Sequence, residues 1–139
     1  MDRVFLDANV LFSASYREDS GLLRLWQLKE TELVTSPYAL DEARRNVVSS
    51  SQLERLDSLV VTLVVPVWIQ DVLPQGVSIV NKDLPILLDA INAQATHLLT
   101  GDKQHFGPLF GQVIGGTLIQ SPADYLASRC LVPPDNLPN

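Results

Sequence analysis

Residues 4–14, "VFLDANVLFSA", set three apolar residues against an abrupt Asp7 and then start a second apolar run. A short continuous apolar run bounded by polar residues fits a strand covered on both faces, so Arg3 to Leu6 read as buried β-structure. That places the Asp7 carboxylate at the strand's C-terminal end, where ligands bind in open α/β sheets.

Working outward, the same grammar repeats. Leu22, Leu23, Leu25, Trp26 and Leu28 follow Ser20-Gly21 at helical spacing and predict an amphipathic helix. Leu33 to Thr35 predict a short strand. Ser36 as N-cap and Pro37 as first helical residue then predict a helix to about Val47. After a break at Ser49 to Ser51, Leu53, Leu56, Leu59, Val60 and Leu63 predict another helix that passes into a strand near Thr62 to Val65. Ile69 to Ile79 carry Pro74 and Gly76 and give no assignable pattern. Asp83 opens a helix through Ile86, Leu87, Ala90, Ile91 and Ala93. Thr96 to Thr100 form a strand that ends in a Gly101-Asp102 turn. Val113 to Ile119 read as a glycine-interrupted strand, and Ser121-Pro122 repeat the helix-start signal.

Strands alternating with helices predict an α/β fold with a mainly parallel sheet flanked by helices in three layers. The 139 residues, 46 % of them hydrophobic, suit one domain, which at this size buries roughly 70 % of its unfolded surface. It is expected over residues 1–130, with the proline-rich 131–139 as a loose tail. Asp2 and Arg3 leave no apolar signal core behind Met1, and the apolar stretch Leu59 to Ile69 is broken by Thr62 and Pro66. It falls short of the roughly 20 residues a membrane span needs, so no membrane partner is expected. Cys130 is the single cysteine, which with two histidines makes no structural zinc set and fits a reducing, cytoplasmic location. The net charge of −6 disfavours long-range attraction of nucleic acid, so metal ions and local cations would have to supply it.

Four carboxylates fall where they can converge. Asp7 and Asp102 follow strands, Glu42 lies in the first turns of the Ser36-capped helix, and Asp83 begins another. Clustered carboxylates raise one another's pKa unless cations compensate, and an all-oxygen set selects Mg²⁺ or Mn²⁺ over zinc. Such ions can activate water against a phosphodiester.

At this point the motifs together resemble the PIN-domain family of small metal-dependent ribonucleases, particularly its VapC-like toxin branch. "FLDANVLFSA" is similar to the family's first motif with Asp7 and Asn9, and "VTSPYALDEARRNV" to the second with Glu42. "NKDLPILLDAINAQATHLLTGDKQHF" is similar to the third and fourth, with Asp83, Thr100 and Asp102. The resemblance spans nearly the whole chain to about Ala127. It implies RNA hydrolysis by metal-activated water, without a covalent enzyme intermediate. Asp7 and Asp102 would hold the principal metal, Asp83 would share in binding or water positioning, and Glu42 would bind a second metal or orient its water. Asn9 and Thr100 would orient the cluster. The resemblance also implies a homodimer and, for a toxin, an antitoxin on a second chain.

Two alternatives stay open at the site. Asp89 competes with Asp83, and their six-residue separation is about 240° around a helix, so both cannot point the same way. Asp41 competes with Glu42. His105 reads as a bystander and His97 as a hydrogen-bonded structural residue. Arg44, Arg45, Lys82 and Lys103 could meet phosphates or be solvated, while Trp26, Trp68 and Phe106 read as core or interface aromatics. An aspartyl-nucleophile phosphatase is disfavoured by Asn9, where those enzymes usually carry a second Asp. A catalytically inactive PIN-like module that binds RNA or protein is the main rival.

Overall fold

In the computed structural model, which describes residues 1–63 and 84–129, Val4, Phe5 and Leu6 are fully buried on strand β1 (Asp2–Leu6). The strand is central, paired in parallel with β2 (Thr31–Val34) on one side and β3 (His97–Leu99) on the other. Strand β5 (Thr117–Gln120) continues the parallel array beside β3, and the short β4 (Val113–Ile114) closes it antiparallel, giving the order β2-β1-β3-β5-β4. The expected α/β architecture with a mainly parallel sheet is therefore present.

Alternation along the strands splits the core in two. Phe5, Val34, Leu98 and Ile119 face a cluster that includes Ile86, Leu87 and Ala90 of α4 (Leu84–Asn92), with Phe106 of α5 (Lys103–Phe106). Val4, Leu6, Leu33 and Leu99 face the opposite cluster. There they meet Val10 and Leu11 of α1 (Ala8–Tyr16), Leu56 of α3 (Ser50–Val60), and Tyr125 and Leu126 of α6 (Pro122–Arg129). Helix α2 (Pro37–Asn46) contributes Ala39 to the first cluster and Ala43 to the second. Helices thus cover both faces of one sheet.

Helix α1 had no counterpart in the helical pattern, because residues 8–14 are almost continuously apolar and show no polar stripe. Tertiary cover explains this: α1 lies between the sheet and the neighbouring helices. Its C-terminal carbonyls are satisfied from α3. Buried Gln52 donates Nε2 to Phe12 O (3.2 Å), and Arg55 donates Nε to Ser15 O and Nη2 to Tyr16 O, both at 2.8 Å.

Three expectations need correction. The helix predicted from Leu22 to Leu28 is a 3-10 helix, Gly21–Gln27, started by Ser20 and finished by Leu28 N–H to Leu25 O. The tighter i to i−3 bonding suits a short connector to β2, and only Leu25 is fully buried. The strand expected near Thr62 to Val65 is contradicted where it can be seen, since Thr62 and Leu63 wind on from α3 by bonds to Leu59 O and Val60 O. Val113 to Ile119 is a hairpin rather than one interrupted strand. Gly115 (φ +59°) and Gly116 (φ +87°) form its two-residue turn, where positive φ matches the strand twist.

A Cβ at Gly115 would stand 3.0 Å from Ile91 Cγ2, whereas one at Gly116 meets nothing within 4 Å. Gly115→Ala is therefore expected to cost more than the about 1–2 kcal/mol of a strained left-handed residue, and Gly116→Ala only that amount. Urea denaturation of the two variants checks the order.

The Ser36-Pro37 start is as expected, with Ser36 Oγ accepting from Ala39 N at 3.1 Å. Asp83, Lys82, Trp68, the unassigned Ile69 to Ile79, Cys130 and the tail 131–139 lie outside the described residues. Among those described, no helix is long and apolar enough to cross a membrane.

At the sheet's N-terminal edge, His97 is structural as expected. Its Nδ1 lies 2.8 Å from Thr96 Oγ1, and its ring packs edge-on to Tyr125 at 4.8 Å between centroids. Tyr125 donates its hydroxyl to Asp2 (2.8 Å), and burial together with that carboxylate pushes the phenol up to about 12. Burial lowers the His97 pKa, opposed by Asp2 and reinforced by Arg129. The unfolded chain then takes up a proton before the folded one, so His97 favours folding above its ordinary value near 6.5 and this contribution is lost as pH falls through the lower folded value. Melting curves at pH 7.5 and 5.5 are expected to show a smaller acid-induced drop in Tm for His97→Gln than for the unaltered protein.

Candidate metal and phosphodiester site

Strand β1 connects to β2 on one side, while the chain returns from β2 to β3 on the other, so a crevice opens beyond the carboxyl ends of β1 and β3. Leu6 pairs with Leu99, and the next residues are Asp7 and Thr100. Their backbones stay joined, Asp7 N–H to Leu99 O at 3.1 Å. The Asp7 carboxylate thus arrives on a rigid element and sits only 4 % exposed.

Its contacts fix it. Oδ1 accepts from Ala8 N (2.6 Å), making Asp7 the N-cap of α1. Oδ2 accepts from Thr100 Oγ1 (2.8 Å) and Asn9 Nδ2 (3.3 Å). Helix cap and cluster member are thus compatible roles for one side chain. Asn9 and Thr100 also tie the second strand end in place. Asn9 Oδ1 accepts from Gly101 N (2.9 Å), and Thr100 Oγ1 accepts from Asp102 N (3.1 Å) and from Asn9 Nδ2 (3.3 Å). Thr100 is fully buried. The network links the two loops through Asn9 and Thr100, each two residues from a candidate ligand.

Asp102 caps α5, accepting His105 N at Oδ1 (3.1 Å), and its Oδ2 lies 2.7 Å from His105 Nδ1. The imidazole set aside as a bystander therefore holds one of the candidate ligands. An Asp-x-x-His spacing at a helix start was the available signal, because residues three apart in a helix are neighbours.

Asp7, Asn9, Glu42 and Asp102 border one pocket of about 370 Å³ with Phe12 and Asn46. Phe12 and Asn46 were not anticipated. Asn46 stands one turn beyond Glu42 and donates Nδ2 to its backbone carbonyl at 2.8 Å. Asp41 instead pairs with Arg45 at 3.3 Å, and Glu42 is the one of the two on the pocket border. Arg44 pairs with Asp57 at 3.2 Å. No Lys or Arg borders the pocket among the described residues. Asp89 is not on its border, and Asp83 lies outside the described residues, so that pair stays undecided.

Among the described residues no three His, Cys, Asp or Glu side chains stand close enough to complete a metal-ion ligand set by themselves. The donor chemistry nonetheless fits a hard divalent ion, because Mg²⁺ keeps several waters and takes one or two carboxylates plus substrate phosphates. Asp7 has one oxygen fixed by a backbone N–H and the other by two side-chain donors, contacts of the kind that orient a metal ligand.

No protein-family model and no curated protein matches the sequence. The chain is similar in structure to a chain of VapBC2 from Rickettsia felis, whose crystal structure was solved bound to a DNA fragment from their promoter. The likeness has a TM-score of 0.58 at 20 % identity and covers 86 % of this chain and 98 % of the other. At that identity the two share a fold.

Proposed function

We propose that this protein is a metal-dependent endoribonuclease with a PIN-like fold, acting as the toxin of a toxin–antitoxin pair. The observation that carries the reading is the convergence of Asp7, Glu42 and Asp102 on one crevice at the switch point of the sheet, with Asp7 oriented by Asn9 and Thr100. The fold likeness to a chain of VapBC2 supports an antitoxin as partner, and RNA is the substrate this reading assigns to the site.

Asp7 and Asp102 would hold the ion, and Glu42 would take a second ion or a water across the pocket. Bound Mg²⁺ or Mn²⁺ would neutralise phosphoryl charge and acidify a water. The residues of the chain do the remaining work. Thr100 and Asn9 keep the Asp7 oxygens aimed at the crevice, and His105 keeps Asp102 from rotating away. Glu42 reaches the same pocket from α2 rather than from a strand end.

Because the attacking oxygen comes from water, the products should carry no cyclic phosphate end, and cleavage should persist at a linkage whose neighbouring 2′-hydroxyl is methylated. Mapping the product ends on such an RNA in Mn²⁺ tests this. Cyclic ends, or complete protection by the methyl group, would overturn the mechanism. A third arm with EDTA is expected to stop cutting and excess Mn²⁺ to restore it.

A further inference from the structure

Three hollows meet along α1. The acidic pocket shares Phe12 and Ser13 with a second hollow of about 420 Å³ at the helix's C-terminal end, which Tyr16, Arg17 and Asp19 also border. Ser13 also borders a third, beside Gly101, Asp102 and Pro122. The second hollow is open rather than a core defect: Tyr16 is 47 % exposed, and its ring lies 5.7 Å from that of Phe12, inclined by 34°.

We infer that this second hollow is a base-stacking subsite for single-stranded RNA, Tyr16 and Phe12 receiving one unpaired nucleobase and Arg17 a neighbouring phosphate. The inference rests on the nuclease reading of the adjoining pocket. Tyr16 follows Asp7 by nine residues, about 13–14 Å along the helix axis, so a strand whose phosphate lies at the acids can place a nearby base against the rings. Every base has a π-face, so stacking suits a substrate of mixed sequence. Arg17 supplies a cation that the acidic pocket lacks among the described residues, and its planar fork matches a phosphate. The Asp19 carboxylate, on the same hollow, can accept from an amino group on a base edge. Continuity with the acids, rather than the aromatic pair alone, singles out a nucleotide as the occupant.

The experiment has two readouts. Tyr16→Trp, made in the Asp7→Asn protein so that RNA is bound without being cut, places an indole in the hollow. Its fluorescence, measured as a difference from the Asp7→Asn protein alone, is expected to be quenched by a single-stranded RNA and far less by an oligomer of equal length lacking bases. Separately, Tyr16→Ala is expected to raise KM for RNA cleavage about tenfold, the scale of one base stack, with kcat within about twofold and an unchanged Tm. Equal quenching by the baseless oligomer, no quenching by RNA, or an unmoved KM would overturn the subsite. Quenching by RNA without any cleavage by the unaltered protein would instead retain the subsite and refute the nuclease, so the two failures are distinguishable.

Discussion

Asp7→Asn is expected to lower the rate of RNA cleavage at least about 100-fold, the scale of removing one electrostatic stabiliser from a preorganised site, while the protein still folds. The two halves of that expectation come from the two ends of one side chain. Asn serves as an N-cap about as well as Asp, so the amide oxygen can keep the 2.6 Å bond from Ala8 N. The other terminus becomes an NH₂ group facing the Thr100 hydroxyl and the Asn9 amide, both of which donate to Asp7 Oδ2. The Thr100 hydroxyl can rotate away, at a cost of about 1 kcal/mol for a hydrogen bond lost. What cannot be recovered is the negative charge that would hold a divalent ion. Cleavage assays beside circular-dichroism melts separate the effects. A variant that melts within a few degrees of the unaltered protein but does not cut is the expected result.

Thr100→Val should give the second largest effect, through a residue that need touch no substrate. The substitution keeps the side chain's shape and removes the hydroxyl that donates to Asp7 Oδ2 and accepts from Asp102 N and Asn9 Nδ2. Thr100 is fully buried, but its partners border the open pocket and can recover part of the lost bonding from water, so a stability loss of about 1 kcal/mol follows. Loss of a ligand's orienting partner typically weakens metal affinity or activity about 10–100-fold. Thr100→Ser, which retains the hydroxyl, should recover most of the Mn²⁺ affinity. Calorimetric titration of Mn²⁺ into the three proteins reads this directly, and a Val variant that binds Mn²⁺ as the unaltered protein does would remove Thr100 from the positioning network.

Where apolar runs were bounded by polar punctuation, the sequence was enough. Val4 to Leu6 and the Ser36-Pro37 helix start stand where the pattern puts them, and β3 (His97–Leu99) lies within the strand expected over Thr96 to Thr100. Legibility fails where tertiary cover removes the polar stripe, as on α1, whose neighbours bury most of its circumference. It fails again where the chain must turn quickly. The 3-10 helix Gly21–Gln27 and the Gly115-Gly116 hairpin have local patterns that also fit a helix and a strand. At the site, adjacent acids Asp41 and Glu42 are equivalent in sequence, and only the Arg45 contact and the pocket wall separate them. The hold of His105 on Asp102 is three residues long, yet its meaning depends on knowing that a helix starts there. The choice between Asp83 and Asp89 needs the first of these side chains, which lies beyond the described residues.

The most direct measurement of the central claim, that these carboxylates hold an ion which supports phosphodiester hydrolysis, is the initial rate of cleavage of an unstructured, mixed-sequence RNA against free Mn²⁺. The account predicts no cutting in EDTA, a rate that rises and saturates with Mn²⁺, and a flat line for co-purified Asp7→Asn over the same range. A rate independent of Mn²⁺, or equal rates in the two proteins, would contradict it.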